Sequence, residues 1–150
     1  MQRVVQNDKH IHLTITTQFR KGNSMGKKVM TSNKTKTIGP YSPAVEAGGF
    51  IFISGQIPVN PATGEIIPDI AAATDRILTN IREILAGEGL SLSSVVKTTI
   101  FLTDMNNFST VNEIYSGFFS TEPPARSTLG VNSLPKGAPL EIEAIAVRKR

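Results

Sequence analysis

The chain has 150 residues, a formal net charge of +4, 39% hydrophobic and 6% aromatic residues, and neither cysteine nor tryptophan. That length and apolar content suit one domain of ordinary size, and no apolar run is long enough to span a bilayer. Without cysteine the chain has no disulfide, no cysteine-built zinc site and no thiol nucleophile, which is compatible with a reducing compartment.

The positive charge is unevenly spread. Eight Lys/Arg and one acid precede residue 37, while eight basic and eleven acidic residues follow it. The body is therefore mildly acidic and offers no basic face for a phosphate backbone, so nucleic acid is not an expected partner. Residues 1–32 show weak periodicity and many Lys, Thr, Gln, Asn and Ser. They read as a basic, disordered extension that adds little to the core. Their acid-poor, hydroxyl-rich character also resembles an organellar transit peptide. A start at Met25 or Met30, or a leader added in cloning, are further readings. The domain proper is expected over 33–150. Both histidines, His10 and His12, lie in the extension, and nothing nearby completes a metal site for them.

In the body, residues 34–38 read as a short strand and Gly39-Pro40-Tyr41-Ser42-Pro43 as a turn. Val45 to Ala47 and Phe50 to Ser54 read as a hairpin around Gly48-Gly49. Asp69 is a candidate N-cap, and Ile70, Ala73, Ile77, Ile81, Ile84 and Leu85 predict an amphipathic helix over 70–86, stopped by Gly87 and Gly89. Val95 to Leu102 is β-branched and apolar, a central strand. Asn106-Asn107 is expected to cap a second helix near 108–119, with Phe108, Val111, Tyr115 and Phe118 on one face. Strands over 126–131 and 140–148 follow, separated by a turn at Pro135-Lys136-Gly137.

This order predicts an α+β fold, a mixed sheet with two helices on one face. The other face keeps Ile51 or Phe52, Val95, Phe101, Ile145 and Val147. An apolar sheet face without helices needs a partner, so a homo-oligomer of closed cyclic symmetry is expected.

The chemistry has few candidates. In the last strand, alternation sets Glu141 and Glu143 beside Ile145 and Val147, and away from Leu140, Ile142, Ala144 and Ala146. A carboxylate among apolar groups has a raised pKa, which suits proton transfer; a fraying strand with two solvated acids is the plain alternative. Arg126 follows the rigid Pro123-Pro124 turn. Its planar fork matches a carboxylate through two parallel hydrogen bonds, or it forms a salt bridge to Glu141 or Glu143. Ser54-Gly55-Gln56 ends a buried strand where Gly55 permits close approach, or it is a simple strand-ending turn. Tyr41 is a core aromatic or a ligand-facing hydroxyl, and Asn112 a solvated helix residue or a site residue. The body has no histidine for a Ser-His-Asp set, no P-loop and no G-x-G-x-x-G.

Several segments occur together in one order. They are Ile38-Gly39-Pro40-Tyr41-Ser42-Pro43-Ala44, Ile53-Ser54-Gly55-Gln56-Ile57-Pro58, Val96-Lys97-Thr98-Thr99-Ile100-Phe101-Leu102, Val111-Asn112-Glu113-Ile114-Tyr115, Pro124-Ala125-Arg126-Ser127, and Leu134-Pro135-Lys136 with Glu141-Ile142-Glu143-Ala144-Ile145-Ala146. From about Lys36 onward the chain resembles the RidA (YjgF-type) family.

The resemblance implies a chorismate-mutase-like fold, a homotrimeric barrel with clefts between subunits, and hydrolysis of 2-iminobutanoate and 2-iminopropanoate to 2-oxo acids and ammonia. It implies no cofactor and no metal, and a small 2-imino or 2-oxo acid as the ligand. By motif match, Arg126 holds the substrate carboxylate and Glu141 orients the attacking water. Tyr41, Ser54, Gly55, Asn112, Ser127 and Thr128 match other cleft positions. Many members carry cysteine where this chain has Thr128, so thiol-based regulation is not expected. A cytoplasmic location is expected, or a mitochondrial or plastid one if residues 1–30 are a transit peptide. The rival functions are a non-catalytic, carboxylate-binding regulatory module and an endoribonuclease or translation inhibitor.

Overall fold

The computed structural model describes residues 26–30 and 39–148. The strand expected at 34–38 lies outside them. Six strands form one sheet: β1 (Lys28–Met30), β2 (Ala44–Ala47), β3 (Phe50–Gln56), β4 (Val95–Leu102), β5 (Ala125–Gly130) and β6 (Leu140–Val147), in the spatial order β1-β2-β3-β6-β4-β5. All neighbours are antiparallel except β4 and β5. Two helices, α1 (Ile70–Ala86) and α2 (Phe108–Phe118), pack on one face.

Helix α1 begins where the Asp69 side chain accepts from the Ala72 N–H at 2.8 Å, satisfying a donor that the first turn leaves open. It ends in two bonds, Gly89 N–H to Ala86 O and Leu90 N–H to Leu85 O, with Gly89 at φ +71. That left-handed glycine closes the helix and folds Leu90 back onto the core. Its inner face buries Ala73, Ile77, Leu78, Ile81, Ile84 and Leu85. They meet Ile51 and Ile53 of β3, Ile100 and Leu102 of β4, and Leu140, Ile142, Ala144 and Ala146 of β6. The alternation expected for the last strand is thus observed.

Three details differ from the sequence reading. Met30 is 3% exposed and belongs to the core, so the N-terminal segment does contribute to it; three alternating residues amid lysines are too short a run for periodicity to register. The Asn107 side chain makes no cap bond to α2; the Asp104 carboxylate instead accepts from the Asn106 N–H at 2.9 Å, starting a short 3-10 turn that leads into the helix. Val95 faces the helices, because the pairing with β6 shifts between Val95 and Lys97. Val96, 42% exposed, takes the open side in its place.

The open face is apolar across several strands. Val29 pairs with Val45, Val45 with Phe52, and Phe52 with Ile145. Phe50 and Phe52 stack at 6.5 Å and are 46% and 47% exposed. Of the two β3 residues that could face this side, Phe52 does and Ile51 is buried.

Candidate functional site

The candidate residues fall into two groups, one on each side of the sheet. The first sits on the helix side of the edge strand β5. Arg126 is in register with Thr98 of β4, a fully buried residue whose hydroxyl is bonded to the Tyr115 hydroxyl at 2.7 Å. Arg126 therefore points toward α2. Its Nη2 donates to Asn112 Oδ1 at 2.8 Å. Its Cζ lies 4.7 Å from the centre of the Tyr115 ring and 5.9 Å from that of Phe108. Phe108, Asn112 and Tyr115 are spaced by four and three, so one helix face presents ring, amide and ring to the guanidinium. These contacts fix the plane of the fork while Nε and Nη1 keep no partner among the described residues. Burial raises the Tyr115 pKa, opposed by its bond to Thr98 and by the Arg126 charge, so the phenol stays neutral.

The salt bridge from Arg126 to Glu141 or Glu143 is not formed, and the register gives the reason. Glu141 pairs with Phe101 and Arg126 with Thr98. Positions 98 and 101 of β4 have opposite parity, so the two side chains leave the sheet on opposite faces.

Thr128 is in register with Ile100. The Val131 N–H is bonded to Leu102 O at 2.8 Å. By parallel alternation, residues 127, 129 and 131 then turn their amides toward β4, while the N–H groups of Arg126 and Thr128 face the free edge. The Thr128 amide is thus a donor beside the guanidinium. Ser127 lies on the open side, where its hydroxyl accepts from Lys97 Nζ at 2.6 Å.

The second group is on the open face. A Cβ placed on Gly55 would collide with Glu141 Oε1 and sit 2.7 Å from Glu141 Cδ, so the carboxyl lies directly against the glycine backbone. Partial burial, and then the neighbouring charge of Glu143, push the Glu141 pKa up. The Ser54 hydroxyl donates to Ser42 O at 2.7 Å, and its N–H to Pro43 O at 3.0 Å. Ser54 thereby ties the Tyr41 turn to β3, and Tyr41 itself is 49% exposed.

Sequence reasoning missed Tyr115 and Phe108 as supports for Arg126, treating both as core. Their spacing with Asn112 was the available signal. It also missed Lys97, whose bond to Ser127 crosses between parallel strands and leaves no local trace.

A mixed sheet of this order, carrying an edge arginine supported by α2 and a glutamate set against a glycine, defines an α+β protein of the RidA/YjgF type. The family model described as Endoribonuclease L-PSP matches residues 31–148, and the chain belongs to that family. A 2-iminobutanoate/2-iminopropanoate deaminase of Escherichia coli K12 is 47% identical over 128 residues, covering 83% of this chain and 100% of that protein. A RutC family protein of Pyrococcus horikoshii is 48% identical over 126 residues, covering 83% and 100%. Among solved structures, the YjgF gene product of Escherichia coli superposes with TM-score 0.77 at 45% identity, covering 81% of this chain and 99% of that one. TdcF of Escherichia coli with bound serine gives 0.77 at 44% identity and the same coverage. Among the described residues, no helix is long and apolar enough to cross a membrane, and no group of three or more His, Asp or Glu is arranged to hold a metal ion.

Proposed function

We propose that this protein hydrolyses 2-iminobutanoate and 2-iminopropanoate to the 2-oxo acids and ammonia. The observation that carries the reading is the supported guanidinium of Arg126, with two of its donors uncommitted, in a chain 47% identical to a protein named for that reaction. A small carboxylate meets a fork whose plane Asn112, Tyr115 and Phe108 already hold, so little side-chain freedom is lost on binding. The Thr128 amide adds a donor at the same edge.

A protonated imine is electrophilic at carbon. Hydrolysis then needs a placed water and a proton carrier, and calls for no cofactor or metal. Water adds to the C=N carbon and one of its protons passes to Glu141. Glu141 returns that proton to the nitrogen, which leaves as ammonia, and takes the remaining hydroxyl proton as the oxygen closes to C=O, releasing it to solvent or to the ammonia. The raised pKa of Glu141 brings its proton affinity nearer neutrality, where a carrier works best.

Arg126 and Glu141 point away from each other within one chain, so one copy does not surround a substrate. A neighbouring copy supplies the complementary group, and the Val29, Val45, Phe52 and Ile145 row offers it an apolar surface. This arrangement favours a homotrimer with its clefts between protomers. RNA cleavage, the activity in the family's description, finds less support in an acidic body without histidine.

The test is an assay in which a pyridoxal-phosphate dehydratase generates the imine in place, run on wild type beside Arg126→Ala and Glu141→Ala. Turnover lost in both variants with the oligomer intact supports the reading. Near-normal turnover in Arg126→Ala defeats it, and binding of 2-oxobutanoate without turnover in the wild type favours the regulatory role.

A further inference from the structure

Strand β3 carries one residue more than its partner. Ile53 pairs with Ala144 and Gln56 with Ile142, so three steps on β3 match two on β6. This is a β-bulge, and it lifts Ser54 and Gly55 out of the ladder. A backbone carbonyl released in this way needs another partner. Gln56 supplies it. Its side chain is buried, at 8% exposure, and its Nε2 donates to the Ser54 carbonyl at 2.9 Å.

The consequence follows from peptide geometry. The described residues contain no cis bond, and in a trans peptide the carbonyl and the next N–H point in opposite directions. Gln56 faces the helices, so holding the Ser54 carbonyl there turns the Gly55 N–H to the open side. That is the side on which the Glu141 carboxyl lies against Gly55. The bonds from Ser54 to Ser42 and Pro43 hold the same peptide from its other end.

We propose that Gln56 is a positioning residue, whose buried amide locks the Ser54–Gly55 peptide so that the Gly55 N–H and the Glu141 carboxyl address one small space on the open face. A ligand or water in that space is held by both. This deepens the deaminase reading and rests on it only for the kinetic readout. A glutamine that merely filled the core would be replaceable by methionine of similar length at little cost.

The experiment compares Gln56→Met with wild type by steady-state kinetics on imine and by NMR titration of the Glu141 carboxyl carbon. In the variant the peptide turns freely and the Gly55 amide is no longer held toward the space that the carboxyl addresses. kcat is expected to fall about tenfold or more with KM little changed. The Glu141 midpoint is expected to rise, because the N–H end of the peptide dipole is no longer held toward the carboxylate. A midpoint that stays in place overturns the proposal. If the wild type shows no imine turnover, the deaminase reading fails, and the titration alone judges Gln56.

If Gln56→Met does not fold, Gln56→Glu replaces it. The introduced carboxyl donates to the Ser54 carbonyl only when protonated. The Glu141 environment should then match wild type at low pH and depart from it as pH rises. A profile that follows wild type throughout overturns the proposal.

Discussion

The Arg126 guanidinium rests over the ring of Tyr115, 4.7 Å from its centre. The Tyr115 hydroxyl is in turn bonded to Thr98 in the buried core at 2.7 Å. The group proposed to grip the substrate is thus stacked on a ring that the core fixes at its far end. Removing the arginine and removing the ring's anchor should have separable effects.

Arg126→Lys keeps the charge and loses the fork. A charge-assisted hydrogen bond contributes about 1.5–3 kcal/mol, and a lysine ammonium replaces two parallel bonds with one point contact. kcat/KM for imine hydrolysis is expected to fall about 10- to 100-fold, and further in Arg126→Ala. The thermal midpoint should stay close to wild type in both. A large drop in melting temperature would show that the arginine serves the fold.

Tyr115→Phe strands the Thr98 hydroxyl in a fully buried position. Leaving a buried polar group unpaired costs about 1–3 kcal/mol. Adding Thr98→Val removes the orphan, so the double variant should recover part of that loss. Urea unfolding of the two single variants and the double variant reads the coupling directly. Strict additivity would contradict the buried bond.

Glu141→Gln should abolish turnover without harming stability. The Glu141 pKa is raised in the folded chain, so folding favours the protonated form. The associated stability is present below the carboxyl's ordinary value and is lost as pH rises through the raised one. Glutamine mimics the neutral form at every pH. The variant should therefore equal or exceed wild type in stability near neutrality and lack this component of the pH dependence. Melting curves taken from pH 4 to 8, a range spanning about the carboxyl and neutral regions, test the sign.

Gly55→Ala places a methyl where the Glu141 carboxyl now lies. The glutamate must move, and overpacking of this kind costs about 1–3 kcal/mol. Activity should fall with it. In a Glu141→Ala background the same substitution should cost almost no stability, because the obstructing carboxyl is gone. An equal stability cost in both backgrounds would mean that Gly55 is needed for another reason.

The sequence made some of this legible and hid the rest for identifiable reasons. Helix α1 and strand β6 were readable because each sustains its period over at least eight residues, and strand β4 because its residues are largely β-branched and apolar. The two apolar faces followed from the same periodicity, apart from Val95, whose side depends on a register shift that composition does not mark. Arg126 and Glu141 stood out as residue types, but their placement on opposite faces did not. That depends on the registers in which β5 and β6 pair with β4, which set Arg126 opposite Thr98 and Glu141 opposite Phe101, a tertiary fact. The contact between Gly55 and Glu141 spans two distant segments and is equally invisible locally. Motif resemblance supplied what periodicity could not, by naming both residues together.

Strand β1 is pinned by charge at the sheet's margin. Lys28 Nζ meets Glu88 Oε2 at 2.8 Å, and Arg148 bridges Glu88 and Glu46, while Met30 plugs the core beside Ala44. Met25 and Met30 are consequently unequal as starting points for translation or trimming. Initiation at Met25 would keep Lys28, Val29 and the side-chain plug. Initiation at Met30 would put a charged amino terminus at a 3% exposed position and erase the clasp on Glu88. Trimming that ends before Lys28 keeps strand β1, and trimming past Met30 removes it.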